Sequence, residues 1–193
     1  SSESRGLGDV YKRQGEIQEI LIKSASDLID LDHPNYQYVA ARLLLFSTRK
    51  SLYGRMRDLP PLRDHIMNCT GINVYDFAIY DKYNLEEINQ ADSWLDHDRD
   101  YFFTYAGLRQ VVDKYLVQDR STGKVYETPQ FMYIMIALTI FAEYPKETRM
   151  SYVRKYYDAI SKHKINIPTP IMGGVRTPIP VSYTHLRAHE THS

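Results

Sequence analysis

Residues 131–142 form a stretch of 12 residues that is apolar on almost every side, and it constrains the fold more than any other part of the sequence. A helix needs about 20 apolar residues to cross a bilayer, so this stretch is too short to span a membrane. Thr128 followed by Pro129 is typical of a helix start, and Pro145 ends the pattern. Because a helix that is hydrophobic all round is buried, the sequence predicts a central buried helix here.

The rest of the sequence is typical of amphipathic helices, because apolar residues recur at three- and four-residue steps. Asn84 and Glu87 form a capping-box pattern, with Asn84 at the N-cap. The other predicted helices cover residues 16–31, 35–53, 62–70, 85–95, 105–115 and 146–163. Short extended runs at residues 116–118 and 124–127 flank turn residues, which predicts one small β-hairpin.

The same spacing predicts which faces of the first two helices point inward. In the first helix the apolar stripe contains Ile17, Ile20, Leu21, Ala25, Leu28 and Ile29. In the second helix the inward residues are Val39, Leu43, Phe46 and Tyr53, and the stripe is widened by Leu44, Leu45 and Leu52. Arg42, Arg49 and Lys50 are expected on the opposite side, and Gly54 is expected to end the helix.

The composition excludes several classes of function. The 193 residues carry 24 basic and 24 acidic side chains, and this balance argues against a dedicated nucleic-acid surface, which should be basic. A single cysteine, Cys69, excludes an internal disulfide framework and a four-cysteine zinc site. It fits a reducing compartment, and the first residues lack the apolar core of a signal peptide, so we expect a cytoplasmic protein.

Both ends of the sequence look foreign to the rest. The runs R-G-L-G-D-V-Y-K-R-Q near the start and V-S-Y-T-H-L-R-A-H-E-T-H near the end resemble translated sequencing adapters. We therefore expect residues 1–15 and 179–193 to be artefacts that do not belong to the fold. His185, His189 and His192 have a metal-like spacing, but they belong to this foreign tail.

Two local groupings have alternative interpretations. His65 and Cys69 are four residues apart on one helix face, which is compatible either with a nucleophile pair or with a buried cysteine beside a surface histidine. The run D-H-D-R-D at residues 96–100 offers either metal or acid–base chemistry, or a structural turn in which Arg99 pairs with carboxylates.

Residues 165–178 differ in character from everything before them. They contain Pro168, Pro170 and Pro178, together with adjacent glycines at 173 and 174. Proline biases the residue before it toward extended geometry, so the segment is predicted to be an extended strand. Its two interpretations are a strand that presents backbone and a small hydroxyl to a ligand, and a proline-rich exit from a helical domain.

Five motifs together resemble the large (alpha) subunit of class I ribonucleoside-diphosphate reductases. They are Y-Q-Y-V-A-A-R-L at 36–43, L-D-H-D-R-D at 95–100, K-Y-L-V-Q-D-R at 114–120, Y-P-K-E-T-R at 144–149 and I-P-T-P-I-M-G-G-V-R-T-P at 167–178. The resemblance implies that residues 16–54 are the last helices of an ATP-cone region, residues 55–164 an all-alpha domain, and residues 165–178 the first strand of a catalytic α/β barrel. The expected fold is thus mainly α, with one β-hairpin and a C-terminal extended strand.

The resemblance also implies two binding residues. Thr169 matches a threonine that contacts the diphosphate of the ribonucleotide substrate, and Lys50 matches a lysine that contacts ATP or dATP at the allosteric cone. No residue of this chain matches a catalytic cysteine of the family, and Cys69 lies in the helical part. We therefore expect no catalytic residue and no metal ligand here.

For the parent protein, the resemblance implies thiyl-radical reduction of ribonucleoside diphosphates to deoxyribonucleoside diphosphates for DNA synthesis. The expected partners are a small (beta) subunit with a radical cofactor, thioredoxin or glutaredoxin as reductant, and a second copy of the large subunit. The expected effectors are ATP, dATP and deoxynucleoside triphosphates. The chain alone is expected to be inactive. The alternative is a non-enzymatic helical interaction module that uses tyrosine-rich faces.

Overall fold

A computed structural model of the chain describes residues 2–178, with side chains from residue 6 onward. The described part is mainly helical with one small β-hairpin, which confirms the predicted fold class. It divides into two compact units. The first unit contains the chain up to Arg57 together with Tyr101–Gln110, and the second contains Asp58–Asp100 and the chain from Val111 onward. The domain limits inferred from sequence stay predictions, and the foreign tail from residue 179 lies outside the described residues.

The elements follow one another with short connections. In chain order they are α1 (Ser2–Asp27), α2 (Tyr36–Tyr53), α3 (Leu62–Gly71), α4 (Ile79–Lys82), α5 (Leu85–Trp94), a 3₁₀ turn (His97–Phe102), α6 (Tyr105–Gln110), a π turn (Val111–Tyr115), β1 (Gln118–Asp119), β2 (Lys124–Val125), α7 (Pro129–Ile140), α8 (Lys146–Ser161) and α9 (Thr169–Gly174).

In the first unit, α2 packs against both α1 and α6. Its buried residues are Ala40, Ala41, Leu44, Leu45, Thr48 and Arg49. The helix ends at Gly54 as predicted, with a left-handed φ of 70° that glycine adopts without strain. Val39, which was predicted to point inward, is 49% exposed.

The inward face of α1 also differs from the prediction. Ile22 and Ala25 are buried, and Gln18 accepts a hydrogen bond from Ser47 on α2 at 3.1 Å. Four predicted core residues are more than half exposed instead: Ile17, Ile20, Leu21 and Leu28. Apolar residues occupy neighbouring faces of this helix, so spacing alone could not select the face that meets α2. The helix also begins at Ser2 rather than at residue 16, and residues 6–17 are exposed.

The core of the second unit is α7, which is buried continuously from Pro129 to Leu138 and confirms the predicted central helix. It packs against α8, which turns Val153, Tyr157 and Ile160 inward. Thr128 stands at the N-cap with an extended backbone, but its side chain makes no capping hydrogen bond. Within residues 2–178, no helix is both long enough and apolar enough to cross a membrane.

Two local predictions in the second unit are confirmed. The capping box of α5 is complete, because Asn84 Oδ1 accepts from the Glu87 N–H at 2.9 Å and Glu87 Oε2 accepts from the Asn84 N–H at 3.0 Å. The hairpin pairs Gln118 with Val125 in antiparallel register. Its turn uses Gly123 at a φ of 72°, a conformation that favours glycine.

The strand predicted within residues 165–178 is wrong, because Thr169–Gly174 is helical. Pro168 is extended, with ψ of 140°, and the Ile171 N–H then donates to the Pro168 carbonyl at 3.0 Å. The only sheet in the described residues is the two-stranded hairpin. This segment therefore has no neighbouring strand to pair with, and a helical turn satisfies its backbone internally. Pro170 lies in the first turn, where a missing N–H leaves no helical bond unmade.

Candidate functional site

The side chains of Glu127 and Arg176 form an ion pair inside the second unit, and both are 0% exposed. We call them the Glu127–Arg176 pair. Arg176 Nε lies 3.0 Å from each carboxylate oxygen, and Nη2 also donates to Oε1. The hydroxyl of Tyr75 and the N–H of Val117 donate to the same carboxylate. A buried charge is costly unless it is paired and fully hydrogen-bonded, and this carboxylate meets both conditions.

The Arg176 guanidinium also holds the segment that carries Thr169. Nη1 donates to the carbonyl of Met172 in α9 at 2.6 Å, and Nη2 donates to the carbonyl of Tyr115 at 2.9 Å. The main chain of Arg176 accepts from the Asp76 N–H at 3.0 Å. One buried side chain therefore connects α9 to the end of the π turn.

Thr169, the predicted substrate-contacting residue, is exposed at the start of α9. Its hydroxyl lies 3.3 Å from the hydroxyl of Tyr115, and either oxygen can donate. Tyr115 is half-buried at the end of the π turn. The structure thus brings together two hydroxyl groups from residues that are 54 positions apart in sequence.

Lys50, the predicted effector-binding residue, is exposed in the last turn of α2 in the first unit. Its neighbour Arg49 was expected on the same outer face but is only 1% exposed. Arg49 Nη1 donates to the Met56 carbonyl at 3.1 Å, and the guanidinium lies 5.5 Å from the Tyr101 ring centroid. Arg49 is therefore part of the packing of this unit, whereas Lys50 is accessible to a ligand.

His65 and Cys69 share a helix face as predicted, but they do not form a nucleophile pair. The sulfur lies 3.8 Å from Nε2 of His65, and burial, with a smaller effect of the Glu127 charge, raises the pKa of the Cys69 thiol to about 12. Burial, together with the charges of His97 and Arg176, lowers the pKa of His65 to about 3. A neutral thiol beside a neutral imidazole is unreactive at neutral pH. The expectation of a surface histidine is also wrong, because His65 is 2% exposed and stacks on Phe131 at 4.0 Å.

The acidic run at residues 96–100 is structural. Arg99 pairs with Asp158 at 2.8 Å and with Asp96 at 3.5 Å, which confirms the predicted carboxylate pairing. Asp100 is 1% exposed and accepts from Gln130 Nε2 on α7 at 2.9 Å. These carboxylates point to different partners, and the described residues contain no cluster of three metal-ligating side chains.

Sequence reasoning missed Tyr115, Glu127 and Arg176 as parts of one arrangement. Glu127 directly precedes the helix start at Thr128, and Arg176 lies in the V-R-T-P part of the last motif. Around Arg176 no local pattern predicts full burial. Next to Glu127, the apolar run that follows is the one signal that this charge enters the core and therefore needs a partner.

Comparisons with known proteins agree with this architecture. Residues 101–180 match the family described as ribonucleotide reductase, all-alpha domain. The chain is 49% identical over 166 residues to the ribonucleoside-diphosphate reductase 1 subunit alpha of Escherichia coli strain K12, covering 86% of this chain and 22% of that protein. The corresponding subunit alpha of Haemophilus influenzae is also 49% identical over 166 residues, with the same coverage of 86% and 22%. Subunit alpha of enterobacteria phage T4 is 43% identical over 172 residues, covering 87% of this chain and 22% of the phage protein.

The chain therefore spans only about 22% of the length of these relatives. The match falls in their N-terminal part and includes the helical domain described above. The five motifs, the helical fold and the shared identity all point to one family. The chain belongs to the class I ribonucleotide reductase large-subunit family, of which it represents an N-terminal part.

Proposed function

We propose that this chain is the helical part of a large subunit that reduces ribonucleoside diphosphates to deoxyribonucleoside diphosphates for DNA synthesis in the cytoplasm. The observation that carries the proposal is the placement of Thr169. This residue lies in the I-P-T-P motif, is exposed, and has its hydroxyl next to that of Tyr115. A hydroxyl group can donate to a phosphate oxygen, and such charge-assisted hydrogen bonds are stronger than neutral ones. Thr169 is thus suited to contact the substrate diphosphate.

The reacting groups of the parent enzyme lie elsewhere. The proposed thiyl-radical mechanism needs three cysteines, and this sequence contains one. Cys69 is buried with its pKa raised to about 12, so it stays a thiol at neutral pH. The helical part therefore supplies substrate positioning, and the 193-residue chain alone is inactive. A small (beta) subunit supplies the radical, thioredoxin or glutaredoxin supplies electrons, and the large subunit works as a homodimer.

Lys50 is the proposed contact to ATP or dATP in the allosteric region. Its ammonium group is exposed at the end of α2, where it can act as a point charge on a phosphate. In a complete subunit, Lys50→Ala is expected to weaken activation by ATP without changing the KM for the diphosphate substrate. Lys155→Ala, which removes another exposed lysine on α8, is the matched control.

A chimeric large subunit tests the proposed function directly. Residues 16–178 replace the aligned segment of the E. coli subunit alpha, and deoxyribonucleotide formation is measured with the small subunit and a thiol reductant. We expect an active chimera, and we expect the 193-residue chain to give no product under the same conditions.

Circular dichroism and small-subunit binding serve as controls for folding of the chimera. A chimera that folds and binds the small subunit but forms no product would contradict the proposed function. Product formation by the 193-residue chain alone would contradict the division of roles between the helical part and the reacting cysteines.

A further inference from the structure

The hydroxyl of Thr169 has a defined neighbour, and this neighbour affects how the threonine can bind a phosphate. A phosphate oxygen only accepts hydrogen bonds, so Thr169 must donate its proton to it. The Tyr115 hydroxyl lies 3.3 Å away and can donate to the Thr169 oxygen. When Tyr115 donates, the Thr169 proton is directed away from the tyrosine and is available to the phosphate.

A single buried side chain contacts the two backbone segments that carry these hydroxyls. Arg176 donates to the carbonyl of Tyr115 at 2.9 Å and to the carbonyl of Met172, three residues after Thr169, at 2.6 Å. Glu127 holds the guanidinium through both carboxylate oxygens. The side chains of Arg176 and Glu127 are 0% exposed, so water does not compete for the ion pair itself, and the two contacts with carbonyls are partly buried. The backbone of α9 and the end of the π turn are therefore fixed relative to each other.

We propose that Tyr115 and Arg176 are positioning residues that orient the Thr169 hydroxyl toward the phosphate of a nucleoside diphosphate. Tyr115 acts by donating to the threonine oxygen, and Arg176 acts by fixing the two backbones. The inference rests on the proposed role of Thr169 but adds two residues that act through it rather than on the ligand.

A double-mutant cycle on the full 193-residue chain tests this inference with inorganic pyrophosphate as the probe. Pyrophosphate is titrated while the amide resonances of Thr169–Gly174 are followed by NMR. We expect saturable shifts at millimolar concentrations, and we expect Thr169→Val to weaken binding while leaving a measurable Kd. Tyr115→Phe is expected to raise the Kd about fivefold, the scale of one lost hydrogen bond, while leaving the melting temperature unchanged.

The decisive comparison is Tyr115→Phe in the Thr169→Val background, where a residue that acts through Thr169 has no further effect on Kd. Arg176→Lys keeps the charge but loses the two-carbonyl contact. It is expected to raise the Kd only when Thr169 is present, and to speed amide hydrogen exchange in α9 but not in α8. Tyr152→Phe, an exposed tyrosine on α8, is the matched control and is expected to leave the Kd unchanged.

Three results would overturn the inference. The first is an unchanged Kd in Tyr115→Phe while Thr169→Val weakens binding. The second is an additive effect of the two substitutions, which would make Tyr115 an independent contact or a general stabiliser. The third is the absence of saturable shifts in the wild-type chain, and in that case the activity of the chimera still decides the proposed function separately.

Discussion

Nε2 of His65 lies 2.8 Å from the hydroxyl of Tyr75, inside the second unit. The tyrosine hydroxyl donates to the carboxylate of Glu127, so it accepts from the histidine. His65 therefore carries a proton on Nε2, and because its pKa is lowered to about 3 the ring is neutral at neutral pH. The buried histidine thus extends the hydrogen-bond network of the Glu127–Arg176 pair by one residue.

Acid should destabilise the second unit through His65. Its pKa is about 3 in the folded chain and ordinarily 6.5, so the unfolded chain binds the extra proton between these pH values. The stabilisation is complete above pH 6.5 and is lost as the pH falls toward 3, by up to about 1.4 kcal/mol per pH unit. Urea unfolding at a series of pH values measures this slope. His65→Leu should flatten it, whereas His33→Leu, at an exposed histidine, should not. If His65→Leu has the same slope as the wild-type chain, other groups dominate the pH dependence of stability.

Removing one member of the Glu127–Arg176 pair should be severe. Glu127→Gln leaves the guanidinium buried without a countercharge, and breaking a buried pair in this way costs about 3–5 kcal/mol. The double variant Glu127→Leu with Arg176→Met removes both charges and should cost less than the sum of the two single substitutions. Chemical denaturation of the wild-type chain, Glu127→Leu, Arg176→Met and the double variant gives the coupling free energy between the two side chains.

An exposed pair provides the control for this cycle. Glu143→Gln breaks the contact with Lys82, and the two side chains are 78% and 40% exposed respectively. The expected effect is under about 1 kcal/mol, because surface ion pairs are weak. A loss for Glu127→Gln no larger than this would mean that water reaches the Glu127–Arg176 pair.

Cys69 should be inert while the chain is folded. Its pKa is raised from 9.0 to about 12, which lowers the thiolate fraction at pH 8 by about a thousandfold. Iodoacetamide labelling followed by mass spectrometry should therefore be slow in buffer and fast in urea. Fast labelling in buffer, with the helical circular dichroism signal intact, would contradict the burial of this thiol.

The capping box of α5 should contribute measurably to stability. Asn84→Ala removes the side-chain acceptor for the Glu87 N–H, at an expected cost of about 1 kcal/mol. Asn89→Ala, at an exposed position within the same helix, is the matched control. It should be neutral or slightly stabilising, since alanine has the higher helix propensity. Equal losses in the two variants would show that the cap itself contributes nothing.

Features with a local cause could be predicted from the sequence. Asn84 and Glu87 are only three residues apart when they form the capping box, and Gly54 ends the helix that directly precedes it. The helix that begins at Pro129 is apolar on almost every side, so it has to be buried. The exposed positions of Thr169 and Lys50 fit the predicted ligand contacts, although those roles stay predictions.

Features that depend on a distant partner could not be predicted in this way. Glu127 and Arg176 are 49 positions apart, and nothing near either residue shows that they meet. The face of α1 was ambiguous because apolar residues such as the exposed Ile20 and the buried Ile22 lie on different sides of the same helix. The proline-rich segment was predicted to be a strand from its prolines, but strand pairing needs a second chain segment that local sequence does not supply.

The sequence separation of the Glu127–Arg176 pair also affects how the protein is made. A ribosome that adds about 5–20 residues per second needs roughly 2 to 10 seconds to pass from Glu127 to Arg176, which are 49 positions apart. During that interval the nascent second unit holds a carboxylate that has no arginine to pair with. We therefore expect closure of this core around Glu127 to follow the release of the V-R-T-P motif from the ribosome, so that the end of the helical part joins the fold late in cotranslational folding.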